Sequence, residues 1–130
     1  MFLFDQKVLF KHCDPAGIVF YPRYFEMIND MIEAWFDELG FPFETLHDTG
    51  GVPTASIEVA FKRPSRHGDR LEWRLRSGPP GRTSLPLTFE AVSGDETRIT
   101  GTSTLVHIGP DGRPLPWPDD LRAALTKGTR

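Results

Sequence analysis

Residues 22–39 read PRYFEMINDMIEAWFDEL, and this stretch decides the fold. A proline opens it, and Gly40 and Pro42 follow its last residue, which is how helices commonly begin and end. At about 100° per residue, its apolar side chains cover an arc of roughly 200°. That arc is wider than a helix lying on a flat sheet needs. The sequence therefore predicts a helix that is surrounded on several sides by a curved sheet, a partner chain or both.

Alternating apolar and polar residues predict one strand before this helix and four strands after it. The first strand falls within residues 2–10, and the later four fall within residues 54–62, 71–76, 85–91 and 97–108. The connections are too short for parallel crossovers, so we expect the later four strands to form an antiparallel meander. A short helix should begin near Asp119. These elements predict an α+β fold in which one antiparallel sheet buries a face against the long helix.

The composition excludes several classes of protein. The 130 residues, 38% hydrophobic and 25% charged, suffice for one packed domain, which we expect to cover residues 1–130. A net charge of −3 argues against binding nucleic acid through its phosphates. The single cysteine excludes an intrachain disulfide, and no apolar run approaches the roughly 18 residues of a membrane span. We expect a cytoplasmic protein without nucleic-acid or membrane partners, which oligomerises to cover apolar surface.

The loop before the long helix carries the candidate chemistry. Asp14 stands in the segment HCDPAG, shortly before Pro22. A helix N-terminus offers unpaired N–H groups and the positive end of the helix dipole, which can hold an oxyanion or polarise a carbonyl. A carboxylate beside a polarised acyl carbon can serve as nucleophile or general base. The residues alone leave an alternative open, in which Asp14 only forms an Asx turn before Pro15.

Residues 10–24, FKHCDPAGIVFYPRY, resemble the signature of the 4-hydroxybenzoyl-CoA thioesterase family of hotdog-fold acyl-CoA thioesterases. The resemblance extends more loosely to Phe61, and the order of strands and helices fits nearly the whole chain. It implies a hotdog fold, in which a curved five-stranded antiparallel sheet wraps a long central helix. It also implies a homodimer with active sites at the subunit interface, often a tetramer of two such dimers, and no metal or redox cofactor.

The same resemblance implies roles for individual residues. Asp14 matches the carboxylate that attacks the thioester carbonyl or activates water, and Tyr21 matches the backbone N–H that holds the carbonyl oxygen. Gly17 would keep the loop tight, and Arg82 would contact the phosphates of coenzyme A. In the 4-hydroxybenzoyl enzymes an acid on the helix receives the phenolic hydroxyl, but Asn29 stands at that position here. Because Asn is neutral, both an aromatic and a medium-chain acyl group remain open.

Other side chains offer alternatives. His12 replaces an acid that many relatives carry; it is either a solvated or hydrogen-bonded residue at the end of a strand or a cation that lowers the pKa of Asp14. Cys13 is expected to be a buried structural thiol, because neighbours on a strand face opposite sides and His12 cannot pair with it. Asp30 and Glu33, on the polar side of the helix, are the fallback acids. The four histidines lack metal-ligand spacing, so no metal is expected.

The sequence thus predicts a thioesterase that converts acyl-CoA and water into a carboxylic acid and free coenzyme A. Two alternatives stay open because a fold does not choose among chemistries. One is an enoyl-CoA hydratase or dehydratase, which would use an Asp/His pair such as Asp14 and His12. The other is a non-catalytic acyl-thioester binding protein. A basic cluster after the second strand is expected either to be solvated or to contact phosphate: Lys62, Arg63, Arg66 and His67.

Overall fold

A computed structural model describes residues 1–127 and shows the predicted α+β architecture. A 3-10 turn, Phe10–His12, lies between the first strand and the first helix. The strands and α-helices are, in chain order, β1 (Phe2–Lys7), α1 (Pro22–Leu39), α2 (Phe43–Leu46), β2 (Thr54–Phe61), β3 (Arg70–Ser77), β4 (Ser84–Ser93), β5 (Glu96–Val106) and α3 (Asp119–Lys127).

The five strands form one antiparallel sheet in the order β1-β3-β4-β5-β2. The predicted meander is correct for β3, β4 and β5 but wrong for β2, which pairs with β5 instead of β3. Residues 62–69 are long enough to cross the end of the sheet. At their start, Lys62 N–H donates to the Arg98 carbonyl on β5 over 2.8 Å; at their end, Val8 N–H donates to the Asp69 carbonyl over 2.7 Å. The connection therefore leaves one edge of the sheet and arrives at the other, beside β1.

The helix α1 has the predicted bounds and ends at Gly40, whose φ of 91° is in the left-handed region that glycine favours. Its wide apolar arc is buried and packs against the inner face of the sheet in one hydrophobic core. The buried residues of α1 are Tyr24, Met27, Ile28, Met31, Ile32, Trp35 and Phe36. The sheet contributes Leu71, Trp73, Leu75, Leu85, Leu87, Phe89, Ala91, Ile99 and Leu105. This packing leaves the N-terminus of α1 near the surface, where Tyr21 is exposed.

The edge strand β2 is exposed along almost its whole length. Seven of its eight residues are exposed, and Val59 is half-buried. The apolar side chains of Ile57 and Phe61 remain 39% and 49% exposed. One side of β2 pairs with β5, and within residues 1–127 no strand lies on its other side. An apolar edge strand of this kind is a template for pairing with another strand.

Candidate active site

The segment between the 3-10 turn and α1 folds back on itself as an irregular hairpin, which we call the Asp14 hairpin (residues 12–20). Asp14 N–H donates to the Ile18 carbonyl and Phe20 N–H donates to the His12 carbonyl, each over 2.9 Å. At the tip, Gly17 N–H donates to the Asp14 carbonyl over 2.9 Å, and Gly17 has a φ of 82°. A side chain at that position would strain the backbone, so the glycine allows the tight turn that resemblance implied. The hairpin thereby holds Asp14 in a defined place before α1.

The Asp14 carboxylate has one occupied oxygen and one free oxygen. Oδ1 accepts the N–H of Ala16 over 2.9 Å, which is the Asx turn. No donor among residues 1–127 reaches Oδ2, and the residue is only half-buried. The two interpretations of Asp14 are therefore compatible. The Asx turn orients the carboxylate, and the second oxygen remains available to a substrate or a water molecule.

The backbone N–H at the start of α1 is free as well. Tyr21 caps the helix, the next residue is proline, and no acceptor among the described residues meets the Tyr21 N–H. An unpaired donor at the positive end of a helix dipole favours a negative oxygen. The Tyr21 ring is exposed and contacts Phe61, at the end of β2, edge to face with centroids 6.1 Å apart. The free donor therefore lies at the Phe61 end of the exposed edge strand.

The connection between β2 and β3 supports the Asp14 hairpin. Ile18 forms an antiparallel bridge with Arg66. Arg98, on β5, donates from Nη1 to Ser65 Oγ over 3.0 Å and to Asp69 Oδ2 over 2.9 Å. Hydrogen bonds from the Arg66 N–H and from Arg98 hold the pKa of Asp69 below its ordinary value. Sequence reasoning missed Ser65 and Arg98, because no local pattern links a strand residue to a turn more than thirty residues away.

His12 lies in the 3-10 turn rather than at the end of a strand. It is 4% exposed, and its Nδ1 accepts the N–H of Leu9 over 2.9 Å. Burial, and then the charge of Lys11, lowers the pKa of His12. The burial, the hydrogen bond and the lowered pKa support a neutral imidazole at His12, rather than a cation that lowers the pKa of Asp14. Cys13 is half-buried rather than buried as expected, and it packs against the core.

Asn29 and Arg82 lie away from Asp14 within the chain. Asn29 is exposed on α1 and lines a cavity of about 330 Å³, together with α2, the segment 50–53 and Thr54 at the start of β2. Arg82 is exposed in the turn between β3 and β4. That turn and the hairpin lie at opposite ends of β3, whose eight residues span about 26 Å. One protomer therefore does not bring all the predicted site residues together.

The remaining charged candidates are at the surface. Asp30 and Glu33 are exposed on α1, as a solvated helix face would be. The basic cluster of Lys62, Arg63, Arg66 and His67 is exposed too. Within residues 1–127, no group of three or more His, Cys, Asp or Glu side chains is placed to hold a metal ion. Over the same residues, no helix combines the length and apolar character needed to cross a bilayer.

Comparison with known proteins decides the family. A profile described as the thioesterase-like superfamily matches residues 8–125. The chain belongs to this superfamily. A 1,4-dihydroxy-2-naphthoyl-CoA hydrolase from Synechococcus elongatus is 30% identical over 108 residues, which are 81% of this chain and 78% of that protein. A 4-hydroxybenzoyl-CoA thioesterase from a Pseudomonas species is 31% identical over 84 residues, 56% of this chain and 60% of that protein.

A solved structure agrees with this membership of the thioesterase-like superfamily. A gentisyl-coenzyme A thioesterase superimposes with a TM-score of 0.84 at 26% identity, covering 95% of this chain and 98% of that one. The resemblance to the hotdog thioesterases is thereby confirmed, and so is the hotdog-type fold with its five-stranded antiparallel sheet. As a member of this superfamily, the protein is a hydrolase of the thioesterase class.

Proposed function

We propose that the protein hydrolyses an aromatic acyl-CoA to the aromatic acid and free coenzyme A, with Asp14 as its catalytic carboxylate. The observation that carries this proposal is a free carboxylate oxygen, Asp14 Oδ2, in the hairpin that leads to an unpaired helix N–H at Tyr21. The three relatives described above are named for hydroxylated aryl-CoA substrates. Their names favour an aromatic acyl group over a medium-chain one.

The chemistry follows from these two groups. Asp14 Oδ2 attacks the thioester carbonyl carbon, and the developing oxyanion accepts a hydrogen bond from the Tyr21 N–H. When the carbonyl reforms, the carbon–sulfur bond breaks and coenzyme A leaves as thiolate, which takes a proton from solvent. Water then cleaves the mixed anhydride to the acid and restores the carboxylate. In the general-base variant, Asp14 takes a proton from water, and that water attacks the carbonyl directly.

Isotope labelling tests for an anhydride that water opens at the Asp14 carboxyl carbon. In a single turnover in H₂¹⁸O, the general-base route places the label in the product acid. The anhydride route, with water attacking the Asp14 carboxyl carbon, places the label in the protein instead. Mass spectrometry of the peptide that contains Asp14 reads out the difference.

We further infer that the active form is a homodimer paired through β2. The Asp14 hairpin lies at the Phe61 end of β2, and the Asn29 cavity lies at the Thr54 end. Two copies of β2 that pair antiparallel about a twofold axis bring the Thr54 end of one beside the Phe61 end of the other. A complete site then combines Asp14 and Tyr21 of one protomer with the Asn29 cavity of its partner.

The Asp14→Asn variant tests the assignment, with a panel of aryl-CoA and medium-chain acyl-CoA esters and free thiol as the readout. Asn keeps an oxygen for the Ala16 N–H, so the hairpin should fold, while the nucleophile or base is lost. We expect turnover to fall by at least about a hundredfold. Asp30→Asn, on the exposed face of α1, is the matched control. Turnover near the wild-type rate in Asp14→Asn would contradict the proposal, and loss of turnover in the Asp30 variant would move the catalytic role to α1.

The same panel addresses the alternatives. An enoyl-CoA ester that is hydrated rather than cleaved would indicate a hydratase, and binding without thiol release would indicate a non-catalytic protein. No observation favours the hydratase, because His12 is buried and its Nδ1 is occupied by the Leu9 N–H.

A further inference from the structure

We propose that His47 accepts a hydrogen bond from a hydroxyl group on the ring of the aromatic substrate, and so selects hydroxylated aryl-CoA esters. His47 lines the same cavity as Asn29. The proposal rests on the proposed function, since it assigns this cavity to the acyl group.

The hydrogen bonding of His47 determines which ring nitrogen can accept. His47 Nδ1 lies 2.8 Å from the Phe43 carbonyl oxygen. A carbonyl oxygen can only accept, so Nδ1 carries the proton. In the neutral ring, Nε2 is then left with its lone pair, and no donor among residues 1–127 reaches it. The imidazole therefore presents an unused acceptor.

The ring of His47 is exposed, and two neighbours restrict its orientation. It contacts the Phe43 ring edge to face, with centroids 5.0 Å apart. Its other neighbour is Gly51, where a Cβ atom would lie 3.1 Å from His47 Cδ2 and 3.3 Å from Nε2. The missing side chain of Gly51 thus leaves just enough room for the ring. A side chain held before the ligand arrives loses little freedom on binding, which increases its contribution to selectivity.

The cavity has the size and character of an acyl subsite. Its volume of about 330 Å³ is near the lower end of ligand cavities, which suits a ring rather than a whole coenzyme A. Its apolar lining includes Ile32, Phe43, Val52, Leu105 and Ile108, and its polar side chains are Asn29, His47 and Thr54. A phenolic hydroxyl is both donor and acceptor. It can donate to His47 Nε2 while its oxygen accepts the amide N–H of Asn29.

Equilibrium binding in the Asp14→Asn background tests this without turnover. Isothermal titration measures Kd for benzoyl-CoA, 3-hydroxybenzoyl-CoA and 4-hydroxybenzoyl-CoA. We expect at least one hydroxylated ester to bind more tightly than benzoyl-CoA. Adding His47→Leu should reduce that preference by about three- to tenfold, the effect of one hydrogen bond. His47→Gln, which retains an acceptor oxygen, should keep part of the preference, and Glu44→Gln, exposed on α2 outside the cavity lining, should keep all of it.

Two results would overturn the role of His47: equal binding of all three esters before His47 is changed, or a preference that survives His47→Leu unchanged. Failure of the proposed function has a different signature. If Asp14→Asn still hydrolyses the esters at the wild-type rate, the catalytic assignment is wrong, yet the preference and its dependence on His47 can still be compared from kcat/KM. Absence of binding for all three esters would overturn both the role of His47 and the aromatic class.

Discussion

The backbone N–H of Val19 donates to the carbonyl of Ser65 over 2.9 Å and fastens the Asp14 hairpin to the connection between β2 and β3. Ser65 is completely buried, and its hydroxyl accepts a hydrogen bond from Arg98. The same Arg98 nitrogen donates to the carbonyl of Pro64 over 3.2 Å. The Arg98 guanidinium on β5 therefore stabilises the connection between β2 and β3, and this connection stabilises the Asp14 hairpin.

Arg98→Met should lower both the stability of the protein and its kcat. The change removes the ion pair to Asp69, which keeps only its hydrogen bond from the Arg66 N–H, and one hydrogen bond to the buried Ser65 hydroxyl. It should cost about 3 kcal/mol of unfolding free energy, at the lower end for a buried pair because Asp69 is 33% exposed. Loosening the hairpin should reduce kcat more than it raises KM. Urea unfolding and steady-state kinetics measure the two effects, with Arg76→Met on an exposed position of β3 as control. Equal effects of the two variants would refute the role of Arg98.

His12 should make the protein less stable in mild acid. Burial lowers the folded-state pKa of His12 below its ordinary value of 6.5. As the pH falls below that value, the unfolded chain binds the proton first, so unfolding becomes easier until the folded-state pKa is reached. His12→Asn keeps an acceptor for the Leu9 N–H and removes the titration. We expect its unfolding free energy to change less than that of the wild type between about pH 7.5 and about pH 5.

A control variant and the separate pH range of Asp69 make it possible to assign the pH dependence to His12. His67→Asn, at an exposed position, controls for the loss of a histidine. The lowered pKa of Asp69 acts in a separate window, because its stabilisation is lost only as the pH falls below the ordinary value of 3.8 toward the folded-state pKa. Parallel pH profiles of the wild type and His12→Asn would show that His12 does not contribute.

Ile57→Glu should dissociate the proposed dimer and abolish turnover. Ile57 lies in β2, and a charge there opposes strand pairing across a twofold axis, where like charges face each other. Leu3→Glu is the matched control, since β1 is the opposite edge strand and Leu3 is 51% exposed. Sedimentation velocity and thiol release report the outcome. A dimer that persists in Ile57→Glu, or one that dissociates in Leu3→Glu, would contradict pairing through β2.

Arg82→Ala should raise KM for acyl-CoA while leaving KM for a short thioester without the nucleotide nearly constant. The turn that carries Arg82 lies at the Thr54 end of the sheet, so the proposed dimer places it near the hairpin of the partner. Arg suits phosphate because its guanidinium donates two parallel hydrogen bonds. The control is Arg113→Ala, whose side chain is 85% exposed. A rise in KM that is equal for both substrates would remove Arg82 from nucleotide binding.

The sequence by itself determined the features that depend on residues close together in the chain. Pro22 and Gly40 bound α1 because the geometry of a helix end depends on the residues at that end. The turn at Asp14 was likewise predicted, since it depends on an Asx hydrogen bond and a glycine with positive φ within four residues. These features need no knowledge of distant parts of the chain.

Only the tertiary structure decided the place of β2 and the support of the Asp14 hairpin by Ser65 and Arg98. The local pattern of β2 is compatible with either neighbour, and the choice of β5 depends on how the whole sheet covers α1. Arg98 donates to Ser65, which lies 33 positions away in sequence. Contacts of this kind depend on the packing of segments far apart in sequence, so the periodicity of a single segment cannot predict them.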